Sequence, residues 1–229
     1  MKQTRIAILG VYRSGSTAVA GALHHLGVDM GPPFFEGFYE SAGLSKQLRR
    51  WWDEPRLVEK VGQAKRVRVL ERWIKEREEG GARWVGMKHP LLSLCGEDLV
   101  QAWGPEARFV RCCRPLGDSI DSLKRLGRAV NGDFLQGTLL AALDRFFAGR
   151  EHLAIEFADL MTNPRREVER LMEYLQITTA AERIEAAVRF IEPGTKSKVE
   201  TEQGEEIGMG KEPRPGKVWG AIRRAITGR

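Results

Sequence analysis

Only three cysteines occur in 229 residues, and two of them, Cys112 and Cys113, are neighbours. An odd count with that spacing makes no disulfide framework. With Cys95 they read as buried strand or turn residues in a reducing cytoplasm. Histidine is scarce too. The four histidines and three cysteines show no metal-ligand spacing, so no metal is expected. There is no apolar run of the roughly 18 residues that a membrane-spanning helix requires. Ile6 to Val11 near the start could pass for a weak signal peptide. It is too short, however, and Arg13 interrupts it before any small-residue cleavage site. Zinc-finger, RNP-type and basic-heptad patterns are also missing, so nucleic acid is not an expected partner.

What remains is a basic α/β sequence. The net charge is +6 and the pI about 9.4, which suits an anionic partner as well as a solvated surface. A chain of this length forms one large domain, or a domain plus appendages. Ile6 to Leu9 is continuously apolar, as a strand buried on both faces must be. A glycine loop, 10–15, follows, and then a helical pattern from Ser16 to Leu26 that stops at Gly27. Helices are expected over Leu44–Lys60 and Ala64–Glu79, as an insert carrying Trp51, Trp52 and Trp73. Further strands are expected at Arg83–Met87, Ala107–Cys113 and Leu153–Phe157, and helices at Leu116–Arg128, Phe134–Arg150, Pro164–Leu175 and Ala180–Ile191. Strands alternating with helices predict a three-layer α/β fold with a central, mostly parallel sheet flanked by helices. The expected organisation is an α/β domain over residues 1–192 and a mobile Gly/Pro/charged loop and tail over 193–229, in which Val218–Ile226 forms a short helix.

Gly10 and Gly15 have the G-x-x-x-x-G spacing of a Walker A loop. Such a loop aims backbone N–H groups at one point, and the following helix adds its positive end. The two residues after Gly15 should then be Lys and Ser/Thr. Here they are Ser16 and Thr17, and the lysine that would reach the β/γ-phosphates is missing. The strong cation of the loop is Arg13 instead. A sulfuryl group carries less charge than a terminal phosphate, so one cation with hydroxyl and backbone donors can suffice.

Arg13-Ser-Gly-Ser-Thr17 after an apolar strand resembles the 5′-phosphosulfate loop of sulfotransferases that use 3′-phosphoadenosine 5′-phosphosulfate (PAPS). The resemblance implies that Arg13 occupies the place of the loop's catalytic cation and that Ser14, Gly15, Ser16 and Thr17 bind the 5′-phosphate. It further implies a P-loop-like fold. Ala18 stands where cytosolic members carry an adenine-stacking tryptophan.

A second segment, Arg114-Pro-Leu-Gly-Asp-Ser-Ile-Asp-Ser122, follows a strand and opens a helix. It is similar to the family's 3′-phosphate motif, an Arg at a strand end and a Ser eight positions on. Arginine suits a phosphate through paired hydrogen bonds. A third, weaker match is the strand, Asp159-Leu, Asn163-Pro and helix segment, which is structural. The Arg-Lys-Gly that completes the 3′ site in cytosolic members does not occur, and Lys196, Lys198 or Lys217 are its candidate substitutes.

Transfer to a hydroxyl needs a general base within hydrogen-bond reach of the nucleophile. Lys88-His89-Pro90 leaves a strand and resembles the Lys-Asp-Pro of bacterial members. Lys88 would stabilise the transferring group. Glu40, in Gly37-Phe-Tyr-Glu40, resembles a carboxylate that bacterial members present, and is favoured as base over His89, with Glu36 a weaker stand-in. His24 and His25 read as packing or surface residues. The helical insert is expected to cover the acceptor pocket, its tryptophans serving the core rather than stacking on substrate. The leading expectation is transfer from PAPS to a small-molecule or glycan acceptor, with release of adenosine 3′,5′-bisphosphate. The rivals are a nucleotide or small-molecule kinase with an altered Walker loop, and a non-catalytic anion-binding or nucleic-acid-binding module.

Overall fold

The computed structural model describes residues 3–35, 37–53, 56–125 and 132–191. Four parallel strands form the central sheet, in the order β4 (Trp84–Lys88), β1 (Thr4–Leu9), β5 (Arg108–Cys113) and β6 (Leu153–Glu156). The pleat of β1 explains the layering. Ile6 and Ile8 enter one apolar cluster and Ala7 and Leu9 another, on opposite faces of the sheet. The first cluster holds α1 (Ser16–His25), α8 (Pro164–Leu175) and α9 (Ala181–Ile191). The second holds α2 (Ala42–Trp51), α3 (Gln63–Glu79), α4 (Gly96–Trp103) and α6 (Gly132–Phe147). Helices on both faces of a parallel sheet are the expected three-layer fold.

Parallel strands all exit at the same edge, so Gly10, His89 and Arg114, each next after its strand, come to one side of the sheet. Ligands of open α/β sheets bind along this carboxyl edge.

The helix expected over Leu44–Lys60 is corrected. It ends at Trp51, and Trp52–Asp53 (β2) pairs antiparallel with Val58–Glu59 (β3). A proline at 55 disfavours helix in the residue before it, and Leu57 adopts a left-handed φ of 53°. The guanidinium of Arg66 ties this hairpin down, pairing with Asp98 at 2.6 Å and Glu59 at 2.7 Å. Trp51, Trp52 and Trp73 are all buried in the second cluster, as core residues. The segment after Pro90, left without an assignment from sequence, forms a 3₁₀ turn (Pro90–Leu94) and α4. Phe157 begins α7 (Phe157–Thr162) rather than ending a strand. The helix expected to run to Arg128 is described as α5 (Leu116–Arg125). The expectations for Glu36 and for residues 193–229, including Lys196, Lys198, Lys217 and the short helix at 218–226, lie outside the described residues. Among the described residues, no helix is long and apolar enough to cross a membrane.

Candidate active site

The loop after β1 turns twice through left-handed backbone, at Arg13 (φ 64°) and Gly15 (φ 91°). A side chain at Gly15 would meet the Phe157 ring at 2.6 Å, so glycine is required by both space and conformation. Gly15 is also the N-cap of α1, and no side chain caps that end. The first turn of α1 contains no acidic residue. Its leading N–H groups lack intrahelical acceptors and carry the helix's positive end, an arrangement suited to an anion.

Two residues hold the loop from behind. Gln136 of α6, fully buried, donates to the Tyr12 carbonyl at 2.7 Å and accepts from its N–H at 3.0 Å. Ser93 Oγ donates to the Gly10 carbonyl at 3.2 Å. The Ser14 hydroxyl points inward, near Gly10, and is buried without a hydrogen-bond partner among the described residues. Sequence reasoning missed Gln136 and Ser93. The signal for Gln136 was a polar residue in register with the buried stripe Leu139, Leu143 and Phe146 of α6.

The glycine loop and the Arg114–Ser122 segment meet physically. Arg13 Nε donates to Ser122 Oγ at 3.0 Å, and Arg114 Nη1 donates to the Arg13 carbonyl at 3.1 Å. The Arg114 guanidinium lies over the Phe157 ring, 4.3 Å from its centroid, and its Nε is buried without a hydrogen-bond partner. Phe157 therefore supports both Gly15 and Arg114, a role no sequence pattern announced. Ser119, one turn before Ser122 on α5, is buried with an equally unpartnered hydroxyl. Buried polar atoms left unpaired cost about 1–3 kcal/mol each.

The other predicted residues gather beside Thr17. Lys88 Nζ donates to Glu40 Oε1 at 2.6 Å, to Thr17 Oγ1 at 3.0 Å and to the Phe38 carbonyl at 3.5 Å. Three ammonium hydrogens thus meet three acceptors. Lys88 is 4 % exposed and Glu40 6 %. Glu40 reaches this point through a tight loop in which the Phe35 N–H donates to the Glu40 carbonyl at 2.8 Å and Phe34 pairs with Ser41. Tyr39, left-handed at φ 54°, anchors the loop by packing against Phe34, His24 and Phe190. His24 and His25 are accordingly packing residues of α1.

His89 completes the group, with Nε2 3.6 Å from Glu40 Oε2. Its Nδ1 accepts the Leu91 N–H at 3.1 Å and so caps the 3₁₀ turn. Burial drives the imidazole well below its ordinary range, and the charges of Lys88 and Arg49 push the same way. Glu40, Lys88 and His89 are therefore together, Thr17 links them to the phosphate loop, and Arg13, Arg114 and Ser122 form a second group on the same loop. The thiols behave as expected. All three are free, and burial raises Cys95 and Cys112 far up and Cys113 to about 11.

Comparison with known proteins bears on the family and the fold. No curated protein matches the chain. Among solved structures, the sulfotransferase domain of the Synechococcus PCC 7002 olefin synthase is similar, with a TM-score of 0.54 and 20 % identity over 80 % of this chain and 77 % of that one. Mycobacterium avium sulfotransferase STF9 superposes with a TM-score of 0.56 at 14 % identity, covering 82 % and 67 %. The sulfotransferase domain of the curacin biosynthetic pathway gives 0.52 at 18 %, covering 79 % and 76 %. At these identities the likeness speaks for the P-loop-like fold. The description "Sulfotransferase family" comes from a family model that matches residues 5–181. That span contains the glycine loop, the Glu40–Lys88–His89 cluster and the Arg114–Ser122 segment, and the chain belongs to the sulfotransferase family.

Proposed function

We propose that the chain transfers a sulfuryl group from PAPS to a hydroxyl of a small-molecule or glycan acceptor and releases adenosine 3′,5′-bisphosphate. The observation that carries this reading is the position of Lys88. One buried ammonium touches both Thr17, at the phosphate loop, and Glu40, a carboxylate able to take a proton. The cation for the transferring group and the base for the acceptor therefore meet at one point.

The proposed roles combine these contacts with the resemblance of the two motifs. The 5′-phosphate sits on the amino end of α1, held by the N–H groups and hydroxyls of Ser16 and Thr17, with Gly15 allowing close approach. The unpartnered hydroxyl of Ser14 is a further donor on the inner wall of the loop. Arg114 and Ser122 hold the 3′-phosphate. Arg13 lies between the two groups and neutralises charge on the donor. The acceptor oxygen attacks sulfur while its proton passes to Glu40. The bond from sulfur to the bridging oxygen breaks, and its electron pair stays on the 5′-phosphate of the product. Lys88 faces the charge that develops on the sulfuryl and bridging oxygens, where a preorganised donor is most effective. In doing so it gives up its bond to Glu40, which frees Oε1 for the acceptor hydroxyl.

Chromatographic measurement of adenosine 3′,5′-bisphosphate formed from PAPS, across a panel of hydroxyl compounds, tests the reaction. Product should appear, with a sulfated acceptor in equal amount, and should persist in EDTA. A requirement for ATP and magnesium, with a phosphorylated product, would establish the kinase reading in its place.

A further inference from the structure

His89 follows Lys88 directly and its Nε2 is 3.6 Å from Glu40 Oε2, yet the transfer as written gives it nothing to do. It is 2 % exposed and faces Oε2 of Glu40, whereas Lys88 holds Oε1. The structure fixes its proton. The Leu91 N–H donates to Nδ1, so Nδ1 must present a lone pair. A neutral imidazole with a lone pair on Nδ1 carries its hydrogen on Nε2, and Nε2 is the atom that faces Glu40 Oε2 at 3.6 Å. The charged groups around the ring are Lys88, Arg49 and Glu40, and burial with the two cations keeps the ring neutral. A ring with its accepting nitrogen occupied and its other nitrogen protonated cannot take the acceptor's proton. It can only donate.

Lys88 and His89 thus hold the two oxygens of Glu40 in different ways. The Lys88 ammonium is on a flexible stem and is shared with Thr17 and Phe38. The imidazole is locked by Pro90 and the 3₁₀ turn that it caps. We infer that His89 is a positioning residue rather than the base: its Nε2–H holds Glu40 Oε2 in place when Lys88 turns to the donor and leaves Oε1 free. This inference rests on Glu40 being the base. The contact is slightly longer than a hydrogen bond while Lys88 holds the carboxylate, and it closes when that hold is released; catalytic hydrogen bonds often tighten only in the loaded complex.

Two substitutions separate the halves of the ring. His89→Asn keeps an acceptor where Nδ1 was and removes the donor toward Glu40. His89→Gln keeps a donor where Nε2–H was and removes the cap on Leu91. The readouts are conversion of PAPS to adenosine 3′,5′-bisphosphate with water as the acceptor, thermal unfolding, and ¹⁵N-histidine NMR of the intact chain. For His89→Asn we expect a Tm close to that of the parent, an unchanged KM for PAPS and a kcat lower by about 10- to 100-fold, the scale of a misplaced catalytic group. His89→Gln should keep a kcat within about threefold of the parent while losing Tm, because it keeps the donor but not the cap. In NMR, one of the four histidines should show the Nε2–H tautomer without titrating between about pH 5 and 8, and its signal should vanish in either variant. An active Asn variant beside an inactive Gln variant would reduce His89 to a turn cap and overturn the inference. So would an imidazole that titrates in that range or carries its proton on Nδ1. A Glu40→Gln variant of full activity would instead sink the reading of Glu40 as base, and the tautomer result would stand apart from it.

Discussion

Glu40, Lys88 and His89 are among the few charged or titratable side chains that this fold buries, and burial decides what each does. An isolated carboxylate would not stay ionised there. Lys88 at 2.6 Å supplies the compensating charge, and in the proposed transfer the two groups part to act on different substrates. His89 has a thermodynamic signature of its own. Its folded pKa lies well below its unfolded value, so in acid the unfolded chain takes up a proton that the folded chain refuses. Nothing is lost well above pH 6.5, where both forms are neutral, and stability falls as the pH drops through that value. Between about pH 7.5 and 5 His89 should therefore contribute a loss of stability. His24 and His25, also lowered by burial, add in the same direction. Urea midpoints across that range should show the decline, and His89→Gln should flatten it. A midpoint independent of pH would mean that the imidazole is solvated.

Among the elements, α1 carries the greatest demands, because its amino end is the proposed anion site and its side packs against α9. Gly21 sits in that contact. A Cβ there would lie 2.0 Å from Cε1 of Phe190. Helix propensity alone favours alanine at this position by about 1 kcal/mol. The overlap involves a buried ring and outweighs that gain, so Gly21→Ala should destabilise by about 1–3 kcal/mol. Adding Phe190→Leu should restore part of the loss. Denaturant midpoints of the single and double variants check this, and a stabilised Gly21→Ala would show that α1 and α9 do not pack closely. Elements also show where sequence reading stopped short. The strand, loop and helix around Gly10 to Gly15 were legible because an apolar run, two glycines and a stop at Gly27 all agree. The stretch after Trp51 was misread because its charges suit a helix, although Pro55 argued against one. The signals of α4 were present, with Glu97 and Asp98 in the first turn and Gly104 at the end, but no apolar period long enough to raise them above a loop. Contacts such as Phe157 beneath Gly15 and Arg114 join residues more than 40 positions apart, and no local pattern encodes them.

At the scale of the molecule, the carboxyl edge of the sheet brings three separate segments into one site: Gly10–Thr17 after β1, Lys88–His89 at the end of β4 and Arg114–Ser122 after β5. A cavity of about 660 Å³ lies at the opposite edge, lined by Thr4, Trp84 and Arg108 from the strand starts. It contains none of the residues gathered at the carboxyl edge. The sequence announced all three segments because each carries a distinct chemistry just after an apolar run. It did not announce that Arg13 and Ser122 would touch, or that Lys88 would join Thr17 to Glu40, since those pairs depend on strand order.

The central claim is that the two groups on the phosphate loop form the two ends of one PAPS site. Calorimetric titration of the chain with adenosine 3′,5′-bisphosphate and with ADP, each with and without magnesium, tests it most directly. The 3′-phosphorylated nucleotide should bind more tightly, without metal, and Arg114→Ala should erase the preference by removing a charge-assisted contact worth about 1.5–3 kcal/mol. Tighter binding of ADP with magnesium, or a preference that survives Arg114→Ala, would contradict the account.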